Sequence, residues 1–472
     1  MTIGLLSIAE LGRAFRAGSL SSEQVTRDAL DRIAASDPTI HAFVAVDDEP
    51  AIAAARAADL ELRQGRDRGL MHGIPYAVKD IVDVAGLPTT CHSKLRLGHV
   101  ADADAGITAR FRNAGAIMLG KLATFEFALG GTSFDLPFPP TRNPWNLEHI
   151  PGGSSSGSAA AVAAGFVRMA IGSCTAGSIR GPAAWCGTVG MKPTYGRVTL
   201  SGVFPLAWSL DHCGPLSRSV EDAALSLQIM AGHDPRDPSS ADIPVPDFRS
   251  TLDHGVAGLR LGVPRAFFES SSMLTSDVRS AIEQTIALLR ENGARVEDIT
   301  LPDYALFQAC TRVIMNAEAY AVHKANLQHR LADFGEITAR RFLAGMSITA
   351  SEYLNALRLK RRLTDEVDEI LARYDGLITA VSLATAPRFD APQQALAWPL
   401  QSSPFNVTGH PAMTVPVGLG ADGLPLAVQV IGRAFDEPTV FRIGRAIETL
   451  SGWDQVPLPS LAANKHAGEP AY

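Results

Sequence analysis

Two stretches rich in serine and glycine hold the side chains most able to do covalent chemistry. The first, IPGGSSSGSAAAVAAG, spans residues 150–165, and GSSSG at 153–157 fits the G-x-S-x-G pattern of a hydrolase nucleophile. The second, GSCTAGSIRG, spans residues 172–181. A serine hydroxyl is a poor nucleophile until a neighbouring base removes its proton. The sequence therefore has to supply both a serine and a base, and several serines compete for the first role.

The surroundings of the first stretch separate several interpretations. A flexible linker would have polar residues on both sides, whereas these serines run directly into an alanine-rich segment typical of a helix start. A nucleophile elbow centred on Ser155 needs a strand immediately before it, but RNPWNLEHIP at 142–151 has two prolines and no apolar run. The lack of a G-x-x-x-x-G-K-[ST] pattern gives phosphate binding little support. A helix start is favoured, and the elbow is kept as a minor alternative.

Lys79 is a candidate base because it directly follows the apolar run 74–78. A lysine accepts a proton only when it is neutral, and its pKa in water is about 10.4. Burial disfavours the ammonium and lowers that pKa. Taken alone, the local sequence favours a lysine at the end of a strand that reaches solvent. A catalytic lysine becomes the better interpretation only with the resemblance described below.

The elements around these residues alternate between strand and helix patterns. Short apolar runs predict buried strands at 74–78, 116–121 and 258–263, and VRMAIG after the alanine-rich segment predicts another. Helical periodicity predicts helices over 104–113 and 277–291. This alternation predicts an α/β fold.

Two helix starts are predicted in the N-terminal region. Ser7 with Glu10, and Ser21 with Gln24, have the spacing of capping boxes. The second of these helices is predicted to end before Pro38, since proline disfavours helical backbone in the residue that precedes it.

The composition excludes several classes of protein. The chain of 472 residues is 46% hydrophobic and 19% charged, which is ordinary for a large globular protein. Its net charge of −7 comes from scattered charges of both signs, so we expect no nucleic-acid partner. The N-terminus has no signal-peptide pattern and there is no run of about 18 apolar residues, so we expect no membrane association. Five cysteines without C-x-x-C spacing indicate reduced thiols in a cytoplasmic protein that holds no metal.

Several longer segments together resemble the amidase signature family. GSCTAGSIRGPAAWCGTVGMKPTYGR at 172–197 extends the second serine stretch and, with PGGSSSGSAAAVAAG, resembles the family's two serine motifs. GIPYAVKDIVDVAGLPTT at 73–90 resembles its lysine segment, and FNVTGHPAMTVPVGLGADGLPLAVQVIG at 405–432 resembles its C-terminal part. The resemblance extends over roughly residues 5–450 and is weakest from about 265 to 400. A match in several separate segments is far more specific than one short motif.

The resemblance implies a single large α/β/α domain with a mixed central sheet covered by helices. On that basis the chain divides into an N-terminal helical segment, 1–65, an amidase signature domain, 66–453, and a C-terminal tail, 454–472. Within the domain we expect the catalytic core at 66–232 and a variable substrate-pocket region at 265–400.

The resemblance also implies which residues act. The family uses a Ser–Ser–Lys triad, which places the nucleophile at Ser178, the bridging serine at Ser154 and the base at Lys79. A hydroxyl can donate and accept at once, so the bridging serine can pass the nucleophile's proton to the lysine. Backbone N–H groups of a loop of small residues would stabilise the oxyanion. That loop comprises Thr175, Ala176, Gly177 and Ser178. The family also carries a cis peptide bond without proline near the serines.

The implied activity is hydrolysis of a small linear amide, an aryl amide or a carbamate through an acyl-enzyme, without a cofactor. The alternative is the glutaminase component of a tRNA-dependent amidotransferase assembly, which the family includes. The oligomeric state is open, with a homodimer as the commonest arrangement. Five residues of the variable region are expected as apolar pocket lining: Tyr304, Phe307, Met315, Tyr320 and Phe334.

Three positions depart from the family pattern. Ser156 and Ala176 stand where the family has glycine, and Cys174 stands where it usually has aspartate. That aspartate pairs with the arginine that corresponds to Arg180, and a buried unpaired guanidinium would be costly, so this arginine needs another acceptor. Cys174 is interpreted as a small buried filler. A reactive thiol and a catalytically inactive binding protein are the alternatives, although all three triad residues are present.

Overall fold

The computed structural model describes residues 3–391 and 400–460. The helices are α1 Ile8–Ala17, α2 Ser22–Ile40, α3 Asp48–Arg63, α4 Gly106–Asn113, α5 Ser156–Ala163, α6 Arg180–Cys186, α7 Val220–Met230, α8 Ala266–Glu269, α9 Ser276–Glu291, α10 Tyr304–His329, α11 Glu336–Leu343, α12 Ala350–Leu371, α13 Pro404–Val407 and α14 Glu437–Leu450. The strands are β1 Phe43–Val46, β2 Pro75–Lys79, β3 Ile117–Leu122, β4 Met169–Ser173, β5 Val189–Lys192, β6 Cys213–Ser217, β7 Arg260–Val263, β8 Arg295–Asp298, β9 Gly376–Ala380, β10 Ala412–Leu419 and β11 Pro425–Ile431.

The described strands form one mixed sheet in the order β1-β3-β2-β4-β6-β5-β10-β11-β9-β7-β8. Strand β2 runs parallel to its neighbours β3 and β4, and β7 runs parallel to β8 and β9. The other neighbouring pairs are antiparallel. This architecture confirms the predicted α/β class with a mixed central sheet.

Helices cover both faces of the sheet, because side chains of the central strands point alternately to either side. In β2, Tyr76 and Val78 belong to one apolar cluster, whereas Ala77 belongs to another. The second cluster includes Ala160 and Ala161 from α5. A strand buried on both faces reads as a continuous apolar run, which is the pattern before the lysine that ends β2.

The predictions for the elements next to the serine stretches are confirmed. The alanine-rich segment forms α5, and the apolar runs form β2, β3, β4 and β7 within about two residues of their predicted bounds. Helices α4 and α9 occupy the two segments predicted to be helical.

The N-terminal helices confirm one prediction and correct another. Both capping boxes are present, with Ser7 at the start of α1 and Ser21 at the start of α2. The predicted end of α2 before Pro38 is wrong, because the helix continues to Ile40. Proline in the last turn removes a single helical N–H, and the turn still forms. Beyond the helix end, the carboxylate of Asp37 accepts two backbone N–H groups.

Other sequence predictions meet the structure only in part. The bounds 1–65 and 66–453 stay predictions, and the predicted tail 454–472 lies outside the described residues from 461 onward. All five cysteines are free and buried. Among the described helices, none combines the length and apolar character needed to cross a membrane. Within the same residues, no three His, Cys, Asp or Glu side chains are grouped so as to hold a metal ion.

Candidate active site

The edge of the sheet where β2 and β4 end brings a lysine and a serine together. The two strands are parallel, with Val78 opposite Ile171, so their carboxyl ends lie at the same edge. Lys79 is the last residue of β2, and Ser173 is the last residue of β4. Nζ of Lys79 donates a hydrogen bond of 2.8 Å to Oγ of Ser173.

Lys79 is fully buried and donates a second hydrogen bond, of 2.6 Å, to Oγ of Ser154. Burial lowers the pKa of its ammonium to about 7, although Cys213, Cys174 and Asp211 act in the opposite direction. A lysine with a pKa near neutrality is partly deprotonated at pH 7 and can accept a proton. The expectation from local sequence alone, that this lysine reaches solvent, is wrong because the sheet edge is covered.

Ser154 lies in the turn that leads into α5. The peptide bond between Gly153 and Ser154 is cis. The N–H of Phe125 donates to the carbonyl oxygen of Ser154 at 3.1 Å. A Cβ atom on Gly153 would lie 2.1 Å from the ring of Phe125, so a larger residue would displace that ring. These contacts hold the hydroxyl of Ser154 against the lysine.

Ser155, at the centre of GSSSG, bonds to the backbone of the neighbouring strand. Its Oγ donates to the carbonyl oxygen of Ser173 at 3.1 Å and accepts the N–H of Ser173 at 3.2 Å. The side chain is fully buried. In the described chain no strand lies between β3 and α5. Both observations argue against the nucleophile elbow that the sequence left open.

A cavity of about 300 Å³ is lined by both Ser154 and Ser178. The N–H of Ser155 donates to the carbonyl oxygen of Ser178 at 3.3 Å, which ties the two serine stretches together. The described lining comprises Phe125, Ala128, Leu129, Gly130, Gly153, Ser154, Thr175, Ala176, Gly177, Ser178, Leu206, Gln308, Thr311, Arg312, Met315, Arg341, Leu400 and Ser403. The structure thus brings the three predicted triad residues to one place, with the lysine buried behind Ser154 and Ser178 in the cavity wall.

The loop expected to hold the oxyanion forms part of the same wall. Oγ1 of Thr175 donates to the Asp211 carboxylate at 2.6 Å, and Oγ of Ser402 donates to the carbonyl oxygen of Ala176 at 3.0 Å. Gly177 has a φ of 131°, and a Cβ atom there would lie 1.8 Å from Oγ of Ser402. Only glycine adopts this backbone conformation without strain, so the loop depends on it.

The backbone donors of this loop are open to a ligand. In residues 3–391 and 400–460, no protein acceptor is hydrogen-bonded to the N–H groups of Thr175, Ala176, Gly177 or Ser178. Free N–H groups beside a nucleophile can stabilise a developing oxyanion. The loop is therefore a candidate oxyanion site, and that role stays a prediction.

Two residues of the site were missed from the sequence, Ser173 and Asp211. Nothing in the sequence distinguishes Ser173 from the other serines of the two stretches. Its contact with Lys79 depends on the register between β2 and β4. Asp211 lies 36 residues beyond Thr175 and also accepts the N–H groups of Leu206 and Ala207, at 2.9 and 3.0 Å. No local pattern marks either residue, because folding creates both contacts.

Arg180, fully buried at the start of α6, has partners that replace the missing aspartate. Its guanidinium donates to the side-chain oxygens of Gln429 and Asn406 and lies 3.7 Å from Sγ of Cys174. Burial raises the pKa of the Cys174 thiol, but the Arg180 guanidinium, the N–H of Ile179 and the charge of Lys192 together outweigh this effect, and the pKa lies below its ordinary value. Cys174 is therefore buried as expected, yet it contacts the arginine and is more than a filler.

The predicted pocket lining is mostly wrong. Met315 lines the cavity, together with Gln308, Thr311 and Arg312 from the same face of α10. Phe307 is not among the lining residues and is buried in the core. The three other residues also pack in or against the core: Tyr304, Tyr320 and Phe334. Residues three and four apart share a helix face, so the lining could be assigned only once the facing side of α10 was known.

A buried ion pair lies directly beside the site. Asp80 follows Lys79 in the chain, and its carboxylate lies 3.0 Å from Nζ of Lys121. Lys121 also donates to the carbonyl oxygen of Pro88 and to Oγ1 of Thr89, each at 2.9 Å. Both charged side chains are fully buried. Because either charge would be costly without the other, the two side chains stay paired beside the buried lysine.

Comparison with known proteins establishes the family. A family model described as Amidase matches residues 24–441. The chain belongs to the amidase signature family. Membership confirms the resemblance read from the sequence and implies a hydrolase that acts on carbon–nitrogen bonds.

Known relatives of this amidase signature protein carry different names. The chain is 40% identical over 480 residues to the A component of the glutamyl-tRNA(Gln) amidotransferase of Geobacter metallireducens, covering 95% of this chain and 98% of that protein. A solved structure of a vestigial protein complex linked to the origins of an s-triazine catabolic enzyme is 34% identical, with a TM-score of 0.88 and coverage of 94% and 98%. The native peptide amidase from Stenotrophomonas maltophilia is 33% identical, with a TM-score of 0.85 and coverage of 96% and 98%. The family is thus shared by proteins of different substrates.

Proposed function

We propose that this chain hydrolyses the carbon–nitrogen bond of a small amide through an acyl-enzyme on Ser178, with Ser154 and Lys79 as a proton relay. The observation that carries the proposal is the 2.6 Å hydrogen bond between Nζ of Lys79 and Oγ of Ser154, at a cavity that both serines line. A cavity of about 300 Å³ suits a small substrate.

In the first step, Oγ of Ser178 attacks the carbonyl carbon of the substrate. Its proton passes to Ser154, whose own proton passes to the neutral amine of Lys79. The amine directs one N–H to Oγ of Ser173 at 2.8 Å, which leaves its lone pair for the hydroxyl of Ser154. Ser173 is thus a positioning residue that acts through the lysine.

The negative charge that develops on the carbonyl oxygen is stabilised by the loop at 175–178. Its N–H groups are fixed in advance by the hydrogen bonds of Thr175 to Asp211 and of Ser402 to Ala176. Donors that are already oriented cost no reorganisation when the charge appears.

Two further steps complete the cycle. The tetrahedral intermediate collapses as the carbon–nitrogen bond breaks, and a proton returns from the Lys79 ammonium through Ser154 to the leaving nitrogen. Water then attacks the acyl carbon and gives a proton to the same relay. The bond between the acyl group and Ser178 breaks, which releases the acid and restores the serine hydroxyl. Linear amides, aryl amides and carbamates all fit this sequence of steps.

A second candidate is the glutaminase component of a tRNA-dependent amidotransferase assembly. The relatives found among curated proteins favour it, since the Geobacter metallireducens protein at 40% identity is named as part of a glutamyl-tRNA(Gln) amidotransferase. The cavity favours the first candidate. Glutamine carries an ammonium as well as a carboxylate, and the described lining includes two arginines but no carboxylate to receive an ammonium.

Intact mass after reaction with a serine-directed phosphonylating probe tests the nucleophile. We expect one adduct on the wild type and on Ser155→Ala, and none on Ser178→Ala, whose turnover should also be nearly abolished while the fold is kept. Ser155→Ala is the matched control, since both serines belong to the two serine stretches. Loss of the adduct only in Ser155→Ala would restore the nucleophile elbow and refute this mechanism. No adduct on any variant, with a probe small enough for the cavity, would favour an inactive binding protein.

Ammonia release by the chain purified alone separates the two candidates. The first predicts release from small amides without any partner. If glutamine is the only amide that releases ammonia, and does so only after partner proteins are added, the result would support the amidotransferase component.

The proposal includes a cytoplasmic location, and of the oligomeric states left open a homodimer is the commonest arrangement. Five free, buried thiols support a reducing compartment. Light scattering on the purified chain tests the homodimer, and a monomer mass would refute it.

A further inference from the structure

One face of α10 presents a positive charge to the active-site cavity. Gln308, Thr311, Arg312 and Met315 all line the cavity, and their spacing places them on one side of the helix. Arg312 is exposed, so its guanidinium is accessible to a molecule that enters. In the described part of the chain, no carboxylate forms an ion pair with it.

A second cation lies in the same wall. Arg341, from α11, lines the cavity; burial lowers the pKa of its guanidinium, a group that stays protonated in proteins. The cavity thus has two permanent positive charges. The described lining residues include no aspartate or glutamate.

Two glutamates close in sequence to lining residues accept hydrogen bonds from protein donors. Glu318, also on α10, accepts the N–H of Ser209 at 3.0 Å and the hydroxyl of Tyr353 at 2.7 Å. Glu126 accepts the hydroxyl of Ser93 at 2.6 Å and the N–H of Gly335 at 2.9 Å.

Asp211 also accepts hydrogen bonds from protein donors, one of them from the candidate oxyanion loop at 175–178. It accepts the hydroxyl of Thr175 and two backbone N–H groups. An incoming ammonium would therefore find no counter-charge in the lining, whereas an incoming anion would find the guanidinium of Arg312.

We propose that Arg312 binds a carboxylate of the substrate, so that this enzyme acts on amides of dicarboxylic acids rather than on neutral or zwitterionic amides. The inference rests on the proposed hydrolase function and specifies its substrate class. A guanidinium binds a carboxylate through two parallel hydrogen bonds, which fixes orientation as well as charge. One end of such a substrate would be held at Arg312 while its amide carbonyl lies at Ser178, in the same cavity.

Calorimetric binding to the Ser178→Ala protein tests the inference without turnover. The ligands are malonamate, succinamate and glutaramate, each against the neutral diamide of the same length, so that chain length does not decide the result. We expect at least one carboxylated amide to bind about 10-fold to about 100-fold more tightly than its diamide, the range for a hydrogen bond to a charged group. The ratio should fall as salt is added, because an exposed charge is screened.

Variants at and away from the cavity assign the effect. Added to Ser178→Ala, Arg312→Met should make the affinities for a carboxylated amide and its diamide equal to within about twofold. Arg312→Lys should retain part of the preference, because lysine keeps the positive charge but lacks the paired N–H donors of the guanidinium. Lys324→Met is the matched control, since it removes an exposed cation from the same helix at a position outside the lining. It should leave the ratio unchanged.

Other outcomes separate this inference from the proposed function. Any of three results would overturn the inference. The affinities could be equal in all three pairs, the preference could survive Arg312→Met, or glutamine could bind as tightly as the best carboxylated amide. Wild-type turnover of neutral amides with such equal affinities would leave the hydrolase proposal intact. Charge-selective binding without turnover by the wild type would instead refute the hydrolase proposal and keep the anion site.

Discussion

Acylation of Ser178 should become about tenfold faster between about pH 6 and about pH 8 and then level off. The reason is the state of Lys79, which takes the proton only when it is neutral. Burial lowers the pKa of this lysine to about 7. The neutral fraction then rises from about one in ten at pH 6 to about nine in ten at pH 8. Above that range, almost every molecule carries the base in its active form.

The assay follows single-turnover phosphonylation of Ser178 by intact mass from about pH 5.5 to about pH 10. This reaction avoids product release, which can limit kcat and hide the acylation step. Lys79→Met should lose most of the rate and all of its dependence on pH below about 8. A rate that keeps rising up to about pH 10 would show a lysine with its ordinary pKa, and a rate independent of pH would exclude the lysine as base. Either result refutes the reasoning.

The lowered pKa of the same lysine should also make the free energy of unfolding depend on pH. Between about pH 7 and about pH 10.5 the unfolded chain binds a proton that the native lysine does not, so the free energy of unfolding gains about 1.4 kcal/mol per pH unit from this group. Urea unfolding of the wild type and Lys79→Met across this range should differ by that slope, with the wild type gaining as the pH rises. Parallel curves would mean that the native lysine keeps its proton.

Three further predictions concern the residues around the relay. Ser173→Ala should slow phosphonylation about tenfold and lower the apparent pKa of its pH profile, because the Lys79 ammonium loses an acceptor at 2.8 Å; an unchanged profile would remove Ser173 from the relay. Lys121→Met should lower the free energy of unfolding by about 3 to 5 kcal/mol, because it leaves Asp80 buried without its partner. Urea unfolding checks this against Arg361→Met, whose side chain is 85% exposed and whose loss should have no measurable effect. Gly177→Ala should slow phosphonylation about 100-fold, since the new Cβ would lie 1.8 Å from Oγ of Ser402 and displace the oxyanion loop. Gly98→Ala, where a Cβ meets nothing within 4 Å, is its control and should react at the wild-type rate.

Local sequence patterns were sufficient wherever a contact spans only a few residues. The capping boxes at Ser7 and Ser21 formed as predicted, because each involves residues three apart. The alternation of apolar runs and helical periodicity gave the α/β class for the same reason. Pro38 shows the limit of such patterns, since α2 continues past it to Ile40 despite a local preference against helix.

The resemblance to a family supplied positions that no local pattern distinguishes. It named Lys79, Ser154 and Ser178 among many lysines and serines, and the fold places the three at one cavity. It could not supply Arg312, because the region from 265 to 400 carries the weakest match and the direction in which α10 faces depends on packing.

The sequence by itself therefore determined the fold class, the helix starts and, through the family, the chemical types at the site. The tertiary structure decided the electrostatics. The pKa of Lys79 depends on burial at a covered sheet edge, and Gln429, one of the two amide partners of Arg180, lies 249 residues away in the chain. Burial and hydrogen-bond partners arise from residues that meet only on folding, so no window of sequence contains the information that sets them.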